Sequence, residues 1–391
     1  MERKKVLYFM PDNPMKGHAG NISRCKQLLA FFSEQEEQFD TDFVSERVWG
    51  NWDDKSEIDF KNKYPKLGLK IINRKFKRDD FFKYLFVYKL PNLFVKPFEQ
   101  NRVDLTSVIM RKEFKKVLQE TKYDIIIISY AQWGKLVDYL PYAARTIIDT
   151  HDFISLLKVD DLKSSSKASK NLKSEISILK KFQSIWTFSI EEKYIFGQFC
   201  QRKVDLIPIG YKLDDISSHP QDPLYDIIYV ASENPHNIKG IKWFTENVLP
   251  KLPPMKIAVI GKIANYVTEH PSIHKLGFVD DLDAAYRNSK ISICPMLSGT
   301  GIKIKVLESL SMGLPVVTNS YGVTGLVNKI NSGCLVTDDS DKFANYILDL
   351  LNNPEYRNEV AKQGQELMRS FYNLELEKKV LLYSLLEPAQ Q

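Results

Sequence analysis

The chain has 391 residues, 43% of them hydrophobic and 27% charged, with a net charge of +6. This is long enough for two separate cores, and the balance excludes a disordered or fibrous protein. Residues 6–10 form too short an apolar run for a signal-peptide core, and no later run approaches the ~20 residues of a membrane span. Cys25, Cys200, Cys294 and Cys334 form no CxxC pair and no metal spacing, so reduced thiols in the cytoplasm are expected.

Strand-length apolar runs alternate with helical stretches, which predicts parallel α/β sheets. The first half offers strands at 6–10, 125–129, 146–149, 185–188 and 205–207. The second half offers them at 226–231, 256–260, 291–294 and 315–318. Each set suits one doubly wound domain that binds ligands at the carboxyl ends of its strands. Segment 208–223, rich in Pro, Asp and Ser, joins the two, so domains are expected at 1–208 and 209–370. Residues 371–391 read as a further helix, and Lys- and Ser-rich 162–174 as a mobile loop.

The first predicted strand runs into Pro11-Asp12-Asn13-Pro14-Met15-Lys16-Gly17-His18-Ala19-Gly20-Asn21, with a helix from about Ile22. Gly17 and Gly20 would let the backbone approach a ligand at a helix N-terminus. The spacing is not GxGxxG, and an ordinary turn with His18 as a polar loop residue fits equally well. Residues 61–89 hold ten Lys or Arg against two Asp, with seven aromatic residues interleaved. That mixture suits an anionic membrane surface. It also suits nucleic acid or a basic, partly buried helical insertion. Further on, His151 directly follows the strand at 146–149, a position that serves either a structural histidine or one that orients a substrate. Neighbouring Asp152 is placed to fix its tautomer.

In the second half, Asn234-Pro235-His236-Asn237-Ile238-Lys239-Gly240 follows the first strand, and His236 reads as incidental. Asp281-Leu282-Asp283 looks like a metal motif, but it opens a helix, where capping explains it better. His270 and His274 are separated by Pro271 and lack a third ligand. Residues 298–317 are the most informative. Gly299-Thr300-Gly301 forms a turn after a strand, with Thr300 suited to cap a helix running to about Met312. Lys303 and Lys305 then occupy a first turn that favours acidic residues, each at a cost of roughly 0.3–1 kcal/mol. An anion at that helix N-terminus removes the misfit. Glu308, one turn on from Lys305, could accept ribose hydroxyls. A nucleoside diphosphate fits the set; so does a solvated helix with a surface Lys305–Glu308 pair.

Four segments taken in order resemble the family 4 glycosyltransferases, retaining enzymes of the GT-B fold. They are Ile207-Pro208-Ile209-Gly210, residues 237–244, Leu276-Gly277-Phe278-Val279-Asp280-Asp281-Leu282, and residues 298–317. The resemblance implies two Rossmann-like domains facing a cleft, with the terminal helix packed back on the first. It implies transfer of a sugar from a nucleotide sugar to an acceptor hydroxyl with retention and no divalent metal or other cofactor. Lys305 and Glu308 would act on the donor, with Lys239, Asn237, Gly299, Thr300, Gly301, Ile302 and Lys303 around it and the backbone at Val279 near the base. His151 and Asp152 would serve the transferred sugar and acceptor, and the loop with Gly17, His18 and Gly20 would face the cleft. Two departures stand out: the arginine usual about five residues before Lys239 is absent, and Thr300 replaces the first of two motif glutamates. The expected partners are a nucleotide sugar, a glycan or lipid-linked acceptor of the cell envelope, and an anionic membrane surface at the inner face, with no nucleic acid. A GT-B epimerase or phosphorylase, or a non-catalytic sugar-nucleotide-binding protein, are the alternatives.

Overall fold

Strands and helices alternate through both halves of a computed structural model that describes residues 3–17, 20–73, 81–95, 101–155, 165–216 and 219–387. The first sheet contains β1 (Lys4–Phe9), β2 (Phe39–Glu46), β3 (Gly68–Ile72), β4 (Ile125–Ser129), β5 (Arg145–Asp149), β6 (Ser184–Thr187) and β7 (Lys203–Leu206). They lie in the order β3-β2-β1-β4-β5-β6-β7, all parallel. The second contains β8 (Tyr225–Val230), β9 (Ile257–Ile260), β10 (Ile273–Gly277), β11 (Ser289–Cys294), β12 (Val316–Thr318) and β13 (Cys334–Val336). Its order is β10-β9-β8-β11-β12-β13, again parallel. Strand order reverses between β1 and β4 and between β8 and β11, so the carboxyl ends of those strands are the expected binding positions.

Central strands such as β4, Ile-Ile-Ile-Ile-Ser, are buried on both faces, which requires the continuous apolar runs seen in the sequence. The unpredicted strands β2, β3, β10 and β13 lie at or next to sheet edges. β2 also carries polar residues that are buried but bonded: Asp42 accepts the Tyr123 hydroxyl at 2.6 Å, and Ser45 accepts the Trp52 indole N–H at 2.8 Å.

The chain forms two units: Met1–Thr187 with Glu192–Leu206 and Leu382–Gln391, and Phe188–Glu191 with Ile207–Leu381. A helix, Leu374–Leu386, carries the chain back to the first unit. There Ser384 Oγ accepts the Trp186 indole N–H at 2.8 Å and donates to Asp205 at 2.6 Å, while Arg145 donates to the Leu385 carbonyl at 3.2 Å.

Of the predicted loop 162–174, residues 165–174 are helical, part of Ser165–Leu179; residues 162–164 lie outside the described ones. Glu175 on this helix is buried and accepts the backbone N–H groups of Ile154 and Ser155 at 3.1 and 2.8 Å. Within the basic aromatic segment, residues 74–80 also lie outside the described ones. Beyond them a helical stretch, 81–95, exposes Phe81, Phe82, Phe86, Leu93 and Phe94, each between 61% and 70% accessible. The described part of the segment therefore combines buried Tyr64, Leu67 and Ile72 with an exposed apolar ridge.

Candidate functional site

In the second unit, β11 ends at Cys294 and the chain turns through Gly299 (φ +103°) and Gly301 (φ +72°). Those left-handed angles favour glycine. The following helix is Ile304–Ser311, so Thr300 is not its cap. After left-handed Gly301, helical geometry starts only at Ile304; Lys303, still extended, occupies the cap position without a side-chain cap bond. Its ammonium instead folds back onto the Thr300 and Gly301 carbonyls at 3.1 and 2.7 Å, buried. Lys303 therefore braces the turn it was expected to charge. Thr300 Oγ1 is buried with no hydrogen-bond partner in the chain, an arrangement that native proteins keep rare.

Lys305 makes a different contact from the surface pair. Its Nζ donates to Asn237 Oδ1 at 2.6 Å and lies 5.2 Å from the Tyr229 ring centroid. Burial pushes its pKa down. Asn237 is held in turn: its Nδ2 donates to the Ser232 carbonyl at 2.9 Å and its backbone N–H to Asn234, cap of helix Pro235–Trp243, at 2.8 Å. That helix presses on the β11 exit, because a Cβ on Gly240 would sit 1.8 Å from the Pro295 carbonyl oxygen. His236, which reads as incidental in the sequence, has Nδ1 2.8 Å from Ser298 Oγ and stands against Gly299. The available signal was its place in the first turn after the unit's first strand. Lys239 is exposed and lies three residues after His236 on the same helix, a spacing that puts the two on one face.

Glu308 Oε2 accepts the Tyr286 hydroxyl at 3.4 Å, and burial raises its pKa. Val279 packs against the apolar cluster that includes Tyr286 and Leu314, after Gly277 (φ +62°) at the end of β10. Asp281 caps helix Leu282–Arg287 by accepting the Ala284 N–H at 2.9 Å. Among the described residues no group of three or more His, Cys, Asp or Glu is placed to hold a metal ion.

In the first unit, His151 follows β5 with φ +56° and is buried. Its Nε2 lies 3.0 Å from Ser129 Oγ and 3.6 Å from Asp149 Oδ2, and Arg24 Nε is also 3.6 Å from that oxygen. Tyr130, at φ +66°, stacks on the ring at 4.4 Å. Backbone of this kind, here at two adjacent strand ends, is sparsely populated for residues other than glycine. Burial lowers the His151 pKa to about 4, so the ring is neutral near pH 7. The carboxylate facing Nε2 is Asp149, the last residue of the buried strand; Asp152 is half-buried and donates its N–H to the Thr150 carbonyl at 2.6 Å. Gly17 has φ +87° with open space where a Cβ would stand, Gly20 opens helix Gly20–Glu34, and His18 lies outside the described residues.

Residues 225–353 match the family model described as Glycosyl transferases group 1. The match lies within the second unit and covers about a third of the chain. Lys239, Asn237, Val279, the glycine turn, Lys305 and Glu308 all fall inside the matched residues; His151, Asp152 and the Gly17 loop fall outside. The whole chain is similar in structure to an S. aureus TarM variant in complex with fondaparinux, alpha-GlcNAc-glycerol and UDP (TM-score 0.72, 14% identity, 98% of this chain and 100% of that one). It is similar to sucrose-phosphate synthase from Thermosynechococcus elongatus (0.69, 15%, 98% and 99%) and to Anabaena Alr3699/HepE in complex with UDP and glucose (0.66, 13%, 98% and 99%). At such identities the likeness is one of fold, and the fold is GT-B. An "Uncharacterized 44.6 kDa protein in cps region" of Klebsiella pneumoniae is 25% identical over 155 residues, 36% of this chain and 40% of that protein. The match thus spans well under half of that relative.

Proposed function

We propose that the protein is a retaining, metal-independent glycosyltransferase that moves a sugar from a nucleotide sugar to an acceptor hydroxyl in cell-envelope polysaccharide synthesis. The observation that carries this reading is the turn at 299–303 with its surroundings. Two left-handed glycines precede a helix N-terminus, an orphaned hydroxyl sits within the turn, and a buried ammonium is steered by Asn237. The hard step is departure of the nucleoside diphosphate. Lys305, Lys239 and the backbone N–H groups of Gly301 and Ile302 stabilise that charge as it develops. Glu308 accepts hydroxyls of the ribose, and the backbone at Val279 borders the base. Neutral His151 orients the acceptor on the first unit, with Asp152 beside it. The departing phosphate takes the acceptor's proton, so no separate protein base is required.

UDP in the TarM and HepE complexes makes a UDP-sugar the first donor to try, and the cps-region relative points to capsule-type polysaccharide. The exposed phenylalanine ridge and its basic surroundings favour a peripheral site on the anionic inner face of the cytoplasmic membrane, where a lipid-linked acceptor is reached. A second reading, a non-catalytic sugar-nucleotide-binding protein, is favoured by Thr300 alone, because a hydroxyl cannot supply a carboxylate's charge.

The test is thermal-shift screening against UDP-, GDP-, ADP- and CMP-sugars, repeated with Lys305→Ala and Glu308→Ala. Stabilisation by one nucleotide, weakened in both variants, is expected. Absence of any stabilisation, or unchanged variants, would overturn the donor site. Binding without transfer to any envelope glycan extract would favour the second reading.

A further inference from the structure

Trp49 is an anomaly in the first unit. Tryptophan is among the most costly side chains to leave in water, yet Trp49 is 50% exposed. It is also firmly held. Its indole N–H donates to Asp12 Oδ1 at 3.2 Å, and its ring meets Trp133 edge-to-face at 5.6 Å. The turn that carries it, directly after β2, is anchored from below by Glu46. That fully buried carboxylate accepts the backbone N–H groups of Val48 and Trp49 at 3.2 and 2.6 Å. From the side, Lys16 of the β1 loop donates to the Asn51 carbonyl at 2.6 Å and Asp53 at 2.7 Å. At Gly50 a Cβ would strike the Trp52 ring at 2.7 Å and the Pro11 carbonyl oxygen at 2.8 Å. The turn therefore fits closely against the β1 loop.

A mobile exposed tryptophan needs no explanation, but one locked in place while half open does. Asp12 ties the ring to the rest of the candidate site: its Oδ2 accepts the Asn21 amide at 2.9 Å, and its charge acts on Tyr130, which stacks on His151. Trp49 and His151 are thus two ends of one polar and aromatic row along the carboxyl edge of the first sheet. Pyranose rings present apolar C–H faces bordered by hydroxyls. A rigid aromatic surface beside a carboxylate with lone pairs to spare is complementary to them.

We propose that Trp49 is a stacking platform for a pyranose ring of the acceptor, with Asp12 accepting that sugar's hydroxyls. This rests on the glycosyltransferase reading and deepens it by making the acceptor a carbohydrate at the ring next to the reacting hydroxyl or beyond. The test uses the full chain with UDP present and methyl glycosides of glucose, galactose, mannose, rhamnose and N-acetylglucosamine as probes, read by saturation-transfer difference NMR. At least one glycoside is expected to show transfer to its ring C–H protons, lost in Trp49→Ala, retained in Trp49→Phe and weakened in Asp12→Asn. A losing variant should bind about three- to tenfold more weakly. UDP-induced thermal stabilisation should be the same in all three variants, which separates this test from that of the donor site. Ring-proton transfer undiminished in both Trp49→Ala and Asp12→Asn, or no transfer from any glycoside to the wild type, would overturn the proposal. So would a Trp49→Ala variant that loses anionic-vesicle binding while keeping the sugar signal.

Discussion

His151 should refuse a proton until well below the pH at which an ordinary histidine takes one. Its ring is buried; Asp149, 3.6 Å from Nε2, favours the charged form, while Arg24, 3.6 Å from the same carboxylate oxygen, opposes it. Desolvation dominates and brings the pKa from 6.5 to about 4. Between those values the unfolded chain binds a proton that the native ring does not, so stability falls as pH drops through the window and is whole above it. At about 1.4 kcal/mol per pH unit, the full window removes roughly 3 kcal/mol, and the span from pH 6.5 to 5 roughly 2 kcal/mol. Raised carboxyls at Asp12, Glu175 and Glu308 act with the opposite sign, so only a difference between proteins isolates the histidine. His151→Asn suits the comparison because asparagine tolerates positive φ. In urea titrations at pH 7 and pH 5, the wild type should lose about 2 kcal/mol more than the variant. The imidazole Cε1–H resonance that vanishes in His151→Asn should stay unshifted down to about pH 5. A midpoint above 6 for that resonance would refute the reasoning, because the ring would then be solvated or dominated by Asp149.

Further outcomes follow from the same structure. Gly301→Ala forces a left-handed alanine and should cost about 1–2 kcal/mol, with nucleotide stabilisation lost in thermal-shift assays; an intact nucleotide response would show that the turn does not hold phosphate. Gly240→Ala should destabilise by about 1–3 kcal/mol, because its methyl would meet the Pro295 carbonyl, whereas Gly197→Ala, in open space on a helix, should stabilise by about 0.5–1 kcal/mol. Equal effects in denaturant titrations would contradict the packing described. Phe81→Glu with Phe82→Glu should abolish co-sedimentation with vesicles containing anionic lipid at low salt, and retention of the double variant would remove the membrane surface from the proposal.

The sequence makes the centre of each sheet plain because β4 and the inner parts of β1, β8 and β11 are buried and largely apolar. It conceals β2, where Asp42, Ser45 and Glu46 are satisfied by partners distant along the chain or by the next turn's backbone. The glycines at 299 and 301 were legible from their spacing, but the onset of the helix was not, since a single left-handed residue delays it. Lys305 was singled out for its charge; that its partner would be Asn237, 68 positions away, is a tertiary fact with no local pattern. The same holds for Asp149 and Arg24, which look like the end of a strand and an ordinary helical cation until folding buries them around His151.

Trp186, Asp205 and Arg145 of the first unit all wait for Ser384 and Leu385. Those two residues leave a ribosome only after the entire second unit has emerged. The earlier-made half must therefore remain unfinished while the later-made half can complete its own sheet, reversing the usual order in which nascent domains mature. Truncation by even ten residues would leave a buried indole N–H and a carboxylate without their common partner, a defect felt far from the cut.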